Sequence, residues 1–343
     1  MTSIQSAIYG CASTSLSDAE KSFFKESNPV GLILFARNID NPNQLKMLVD
    51  EFKVTISHDH PLILVDQEGG RVQRMTSPHW RKAPALGLFS DQDADYEAMA
   101  KKALDHNIRL LARDLVEVGI NVDCLPLLDV IMDGADNIIG DRAFGSNPDI
   151  VSKYGKVVID ALLDEGVLPI IKHIPGHGRA MVDSHLDLPV VAATLEDLVE
   201  TDFKPFKALS DAPLAMTAHI IYQAIDPDNC ATQSSAVIQE IIRDHIGFSG
   251  LLMSDDLSMK ALKGSMAERS LRSLEAGIDL LLHCNGDMAE MQDIASVARP
   301  LSIEQVEKLI AMHNQTNSGS DQSTDILLND YHSLAETLGI EPQ

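Results

Sequence analysis

Eight short apolar runs, separated by stretches of helical periodicity in a chain of 343 residues, predict an α/β fold: a single (β/α)8 TIM-like barrel. The runs cover residues 6–10, 31–35, 61–66, 120–130, 169–173, 214–221, 250–255 and 279–284. Their near-continuous apolar character suits strands buried on both faces, as parallel sheets require. Between them, Ser17 and Glu20 fit a capping box that opens the first helix. Residues 42–57, 95–118, 149–166, 195–210 and 234–246 carry apolar side chains at helical spacing. No fixed-period repeat and no second domain stand out, so residues 1–313 are expected to form the barrel. The tract NQTNSGSDQST, residues 314–324, reads as a flexible polar connection, which sets residues 314–343 apart as a C-terminal segment.

Charge and composition exclude several function classes. With 51 acidic and 27 basic residues the formal net charge is -24, which repels phosphate backbones and anionic headgroups. Neither nucleic acid nor a membrane is therefore expected as a partner. The N-terminus has no basic region followed by an apolar run, and nowhere are there 18 consecutive apolar residues, so a cytoplasmic location is expected. Cys11, Cys124, Cys230 and Cys284 are scattered without metal-like spacing, and no disulfide framework is expected.

In a barrel of this kind the active site lies at the C-terminal ends of the strands, so polar residues that close an apolar run are the ones to inspect. Five runs end this way: Asp66 in LILVDQEGGRVQR, Asp129 in CLPLLDV, Lys172 and His173 in PIIKHIPGHG, His219 in AMTAHIIY, and Ser254, Asp255 and Asp256 in LLMSDDLSMK. Any one alone could be a satisfied structural group; five together point to a site. In DQEGGRVQR two glycines permit tight turns, and Arg71 and Arg74 supply planar donor forks. Asp66 with Arg74 reads either as an ion pair holding the loop or as a pair that grips substrate hydroxyls. Neither GxGxxG nor GxxxxGK followed by Ser or Thr is present, so a phosphate loop is not indicated.

The stretch KHIPGHGRAMVDSHLDLP gathers Lys172, His173, His177, Asp183, His185 and Asp187. Imidazoles and carboxylates invite a metal reading, against which stand the absence of HExxH and of a facing cysteine pair. The acid–base reading pairs Asp183 with His185, a carboxylate orienting an imidazole that exchanges protons near neutrality. In SDD, strand alternation sends Asp255 and Asp256 to opposite faces, so one of them faces substrate, where a carboxylate can act as a nucleophile toward an anomeric carbon.

With these residues in place, the chain resembles the bacterial β-N-acetylhexosaminidases of glycoside hydrolase family three, of the small single-barrel type used in cell-wall recycling. The resemblance runs over residues 31–284 through GLILFARNI, DQEGGRVQR, IIGDRAFGSNP, KHIPGHG with DSHLDLP, MTAHIIY and MSDDLSM. The KH-x-PGHG and DSH block marks the hexosaminidase branch, because relatives acting on glucosides lack the DSH loop and draw their acid from a second domain. Carried over residue by residue, the resemblance implies that Asp255 is the nucleophile and that Asp183 and His185 form the general acid/base. It further implies that Asp66, Arg74, Arg142, Lys172 and His173 hold a terminal N-acetylglucosamine. The implied substrate is a GlcNAc-anhydroMurNAc-peptide, with no cofactor and no metal. One departure is Ile174, where the family usually has Phe.

Three rival readings accompany this one. A substrate-assisted mechanism would use the acetamido group as nucleophile, with Asp255 and Asp256 as its assisting pair. A metal-dependent barrel hydrolase would draw on the His-rich stretch, and a non-catalytic carbohydrate-binding barrel would leave the nucleophile and acid set without a purpose.

Overall fold

A computed structural model describes residues 3–132, 134, 139–180, 188–316, 319 and 322–341. Eight parallel strands close into a barrel: β1 Gln5–Tyr9, β2 Pro29–Leu34, β3 Leu62–Val65, β4 Val122–Asp123, β5 Leu168–Ile174, β6 Leu214–Thr217, β7 Leu251–Asp256 and β8 Leu280–His283. Each neighbour in sequence is a neighbour in space, and β8 pairs back onto β1. All eight overlap the predicted runs, as a (β/α)8 TIM-like barrel demands.

Alternation along the strands explains why the runs are apolar throughout. Ile8, Ile33, Leu64, Ile170, Met216, Met253 and Leu282 point inward and fill the lumen. Their sequence neighbours Ala7, Leu32, Ile63, Ile171, Ala215, Leu252 and Leu281 point outward and pack under the helices. The lumen is thus a packed core and not a pore, and truncating a fully buried member such as Leu64 to Ala would cost about 2–5 kcal/mol.

Two strands, β4 and β6, are shorter than their runs by four residues or more, for identifiable reasons. The run at 120–130 keeps strand pairing only over Val122–Asp123, because Pro126 has no N–H to donate. The segment nevertheless stays against β5: the Leu125 carbonyl accepts from Ile170 N at 2.8 Å, and Leu128 N donates to the Lys172 carbonyl at 2.8 Å. It therefore delivers Asp129 to the top of the barrel. After β6 the chain leaves the barrel at Ala218, and Ile221–Tyr222 pairs with Val190–Val191 in a separate two-stranded sheet.

The helices follow their predicted starts more closely than their ends. Ser17 Oγ accepts from Glu20 N while Glu20 Oε2 accepts from Ser17 N at 2.8 Å, which is the capping box read from sequence. The pattern at 195–210 instead forms two short helices, Leu195–Glu200 and Lys204–Ala208. Pro205 in the second helix cannot continue the first, and between them Asp202 is buried against Arg179. Residues 234–246 wind as a π-helix over Val237–His245.

Beyond the tract 314–324 the C-terminal segment is a helix, Thr324–Thr337, that lays Leu327, Tyr331 and Ala335 onto the body of the protein. The Arg81 guanidinium stands 5.0 Å over the Tyr331 ring, and Arg113 Nη1 donates to Gln322 O at 2.9 Å and to Thr324 Oγ1 at 3.0 Å. Among the described residues no helix is long and apolar enough to cross a membrane. The four cysteines are free thiols.

Candidate active site

The site is assembled at the C-terminal ends of the strands, beginning with the segment after β3. There DQEGGRVQR folds into a tight antiparallel hairpin, Gln67–Gly69 against Val72–Gln73. Gly69 sits at φ +92°, and a Cβ there would come within 2.4 Å of the Pro84 carbonyl, so the turn requires glycine. Buried Gln67 closes the hairpin from inside. Its amide oxygen accepts from Arg74 N and Met75 N, each at 3.0 Å, and its amide nitrogen donates to Met75 O at 2.9 Å. This brings Arg74 back over Asp66.

A chain of alternating charges results. Arg74 Nη2 meets Asp66 Oδ2 at 3.1 Å, and Lys172 Nζ from β5 meets Asp66 Oδ1 at 3.0 Å. Lys172 also reaches Glu68 Oε1 at 2.6 Å, and Arg142 grips the Glu68 carboxylate with Nε at 2.8 Å and Nη2 at 2.8 Å. Four of the five residues expected to hold the sugar, Asp66, Arg74, Arg142 and Lys172, therefore form one cluster. Glu68, which the sequence reading did not single out, stands at its centre. Burial by itself raises a carboxyl pKa, but beside Lys172 and Arg74 the Asp66 group lies well below the usual carboxylate range. Lys172 and Arg142 lower Glu68 against the same burial, and in return Asp66 and Glu68 raise Lys172 although burial opposes its charge.

The fifth residue, His173, belongs to an adjoining imidazole cluster. Its Nδ1 lies 2.8 Å from Asp129 Oδ2, while Asp129 Oδ1 accepts the backbone N–H of His173 at 3.1 Å and of His177 at 2.7 Å. Despite burial, the charge and hydrogen bonds of His173, and His177 beside it, bring Asp129 down to about 2. An ionised Asp129 takes the Nδ1 proton of His173 as a hydrogen bond and so orients the imidazole ring. The His177 ring stands 5.5 Å from that of His173, and burial together with His173 lowers it to about 4, leaving it neutral at pH 7. Gly178 closes this turn, where a Cβ would fall 1.8 Å from the Val130 carbonyl.

On β7 the two aspartates part as alternation requires. Asp256 is engaged by the protein: Oδ1 accepts from Ser258 N at 3.0 Å and Cys284 N at 3.2 Å, and Oδ2 from Ser258 Oγ at 2.6 Å. Asp255 accepts its neighbour's N–H at 2.8 Å and acts electrostatically on His177, His219 and the Cys284 thiol, a thiol that Asp66 also reaches. The carboxylate thus lies within electrostatic reach of the imidazole cluster. His219, flagged from sequence, is buried and bonded to Thr232 Oγ1 at 2.7 Å and to the Asp256 carbonyl at 3.1 Å, so it braces the backbone beside Asp255. Asp183 and His185 lie outside the described residues. The chain on either side of them is anchored: Arg179 binds Asp202 at 2.7 Å and Thr201 at 2.8 Å, and Val190–Val191 pairs beside the end of β6.

Two further groups escaped the sequence reading. Asp129 was noted as a strand-end polar residue without a role, and Asp123 was not noted. Asp123 is fully buried beneath the charge cluster, with Oδ1 accepting from Gln67 N at 3.0 Å and Oδ2 without a hydrogen-bond partner. Burial raises its pKa to about 8, making it a neutral acid at pH 7. A signal for Glu68 did exist in charge parity, since three cations converging in a barrel need buried anions beside them. Among the described residues no group of three or more His, Cys, Asp or Glu is placed to hold a metal ion. A cavity of about 630 Å³, lined by Gln5, Phe23 and Pro300, lies at the N-terminal end of β1, away from all these groups.

Comparison with known proteins gives the chain its relatives. Residues 5–313 match the glycosyl hydrolase family 3 N terminal domain. A beta-hexosaminidase of Alkalilimnicola ehrlichii is 36% identical over 311 residues, covering 89% of this chain and 88% of that protein. One from Shewanella frigidimarina is 38% identical over 260 residues, 74% of each chain. Among solved structures, NagZ from Neisseria gonorrhoeae in complex with N-trifluoroacetyl-D-glucosamine superposes with a TM-score of 0.86 at 30% identity, covering 98% of both chains, and the same protein has been solved in complex with zinc ion. By fold, strand-end residues and relatives alike, the chain belongs to glycosyl hydrolase family 3, as a glycoside hydrolase of the beta-hexosaminidase kind.

Proposed function

We propose that this hydrolase is a retaining exo-β-N-acetylglucosaminidase that removes terminal β-linked GlcNAc from peptidoglycan-derived anhydro-muropeptides in the cytoplasm. The observation that carries the mechanism is on β7: three hydrogen bonds from the protein hold Asp256, while Asp255, on the opposite face of the strand, lies within electrostatic reach of His177 and His219. In the proposed first step an Asp255 oxygen bonds to the anomeric carbon as the bond to the aglycone oxygen breaks, and that oxygen takes a proton from His185. In the second, His185 removes a proton from water, whose oxygen displaces Asp255 with net retention. Asp183 orients and polarises the imidazole.

Asp66, Arg74, Arg142, Lys172 and His173 hold the sugar in this reading. The charge cluster supports it, because charged donors and acceptors fixed in advance bind hydroxyls without reorganisation cost. The N-acetylglucosamine class is supported by the amino-sugar complex of the Neisseria neighbour. The anhydro-muropeptide aglycone and the location rest on the family resemblance.

The test is mass spectrometry of the protein with a slow fluorinated GlcNAc donor, together with Asp255→Asn kinetics. A glycosyl adduct on Asp255 and loss of turnover with sugar binding retained are expected. An adduct on Asp256, or an oxazoline product without adduct, overturns the assignment. Because a neighbouring structure holds zinc, the assay is run with EDTA as well. An unchanged rate is expected, and a loss restored by zinc would instead favour a metal-dependent hydrolase.

A further inference from the structure

Three cations, Arg74, Lys172 and Arg142, converge on one wall of the pocket from β5 and the loops after β3 and β4. Unbalanced positive charges at such separations repel one another, and flexible side chains would splay them apart. Asp66 answers Arg74 and Lys172 from the rim. Glu68, which is 1% exposed, answers Arg142 and Lys172 together from below.

We propose that Glu68 is a positioning residue for catalysis: it touches no substrate itself and sets the angle at which Lys172 and Arg142 meet the sugar. The inference rests on the reading above that these two cations hold substrate. Its Oε1 accepts from Arg142 Nη2 and its Oε2 from Arg142 Nε, each at 2.8 Å, and Oε1 is ion-paired with Lys172 Nζ at 2.6 Å. The side-on fork fixes the guanidinium plane, which a single contact would leave free to rotate. Lys172 Nζ donates to Asp66 Oδ1 at 3.0 Å and is drawn into ion-pair contact with Glu68 Oε1 at 2.6 Å, so the two carboxylates together fix where the ammonium sits. Glu68 also ties the hairpin after β3 to the turn Gly140–Arg142, beside the Arg71 to Asp141 pair at 3.0 Å.

Only a carboxylate at this reach serves. Glutamine would aim an N–H₂ at one of the cations, and aspartate is one methylene short. Charge matters as well as shape. Lys172 is faced by Asp66 and Glu68 from the hairpin, by Asp123 and Cys124 from β4 and by Arg142 from the next loop, and Glu68 is one of the two groups that raise its proton affinity most. Without that charge Lys172 gives up its proton at lower pH.

The test compares Glu68→Gln and Glu68→Asp with the wild type on an aryl β-N-acetylglucosaminide, across pH. For Glu68→Gln, kcat/KM is expected to fall about 10–100-fold, the worth of one charge-assisted hydrogen bond, mainly through KM. The alkaline limb of kcat/KM should move to lower pH, and Glu68→Asp should restore the limb more fully than the KM. A variant that melts earlier yet keeps the wild-type KM and pH profile overturns the proposal, since it reports structural support alone. Should Glu68→Gln fail to fold, Glu68→Gln combined with Arg142→Gln restores the local charge balance. In the Arg142→Gln background the Glu68 change should then raise KM less than Arg142→Gln itself does, while still shifting the alkaline limb, and an unshifted limb overturns the proposal. Lys172→Ala and Arg142→Ala discriminate the two levels: wild-type KM in both sinks the sugar-holding reading, whereas weakened binding in both with a silent Glu68→Gln sinks only the role of Glu68.

Discussion

Replacing Lys172 by Met removes the ammonium from between two carboxylates while roughly keeping the volume of the side chain. In the wild type Lys172 is 2% exposed and binds Asp66 at 3.0 Å and Glu68 at 2.6 Å. Removing one partner of a buried ion pair and leaving the other uncompensated costs about 3–5 kcal/mol. With an unfolding entropy of about 2.1 cal/mol/K per residue over 343 residues, that corresponds to a fall in Tm of about 4–7 °C. The pH dependence gives the sharper check. Asp66 and Glu68 are held below their ordinary values of 3.8 and 4.5, so the stability they contribute is present above those values and is lost as pH falls through their folded ones. Removing Lys172 relaxes both toward the ordinary range. The stability gap between wild type and Lys172→Met should therefore be full above pH 5 and should narrow on acidification. Chemical denaturation at a series of pH values measures it, with kcat/KM followed in parallel. A gap below 1 kcal/mol at pH 7, or one that does not change with pH, would refute the charge-cluster reasoning.

Two other outcomes follow from the same geometry. Asp129→Asn keeps an oxygen for the backbone N–H groups of His173 and His177 but presents an amide to His173 Nδ1, which favours the other tautomer; kcat/KM should drop about 10–100-fold with little change in Tm, and unaltered kinetics would detach His173 from the site. Asp123 is raised by burial to about 8 from 3.8, so its unfavourable effect on stability is absent below the ordinary value and grows as pH rises toward the folded one. Asp123→Asn should remove that dependence, making the variant more stable relative to wild type by about 1.4 kcal/mol per pH unit between pH 5 and 7. A constant difference across that window would mean that Asp123 is ionised in the folded protein.

How much was legible in the sequence differs by length scale. Strand-forming runs, the Ser17–Glu20 cap and the helix starts are local, set by burial on both faces and by hydrogen bonds within three or four residues, and they reappear in the fold. The glycine turn of DQEGG was equally readable, because a positive φ leaves few choices. Local reading failed where a distant partner decided the outcome. The helix expected over 195–210 breaks at a buried Asp202 whose partner Arg179 lies 23 residues earlier. The C-terminal helix packs on the body through Leu327, Tyr331 and Ala335, with Arg81 over the Tyr331 ring, a pairing of residues too far apart in the chain for a local pattern to show.

By itself, then, the sequence determined that this is a barrel hydrolase with Asp66, Lys172, His173 and Asp255 at strand ends, because strand alternation and the polar closure of apolar runs are written in adjacent residues. Tertiary structure alone decided what those groups are as chemical species. It made Glu68 the shared anion of Lys172 and Arg142, kept Asp129 ionised against His173, left Asp123 a neutral acid and engaged Asp256 through Ser258 and Cys284. The reason is electrostatic: a carboxyl group's charge depends on what lies within a few ångströms of it in a dry interior, and barrel closure brings together residues far apart in the chain, as with Asp66 and Lys172, 106 positions apart.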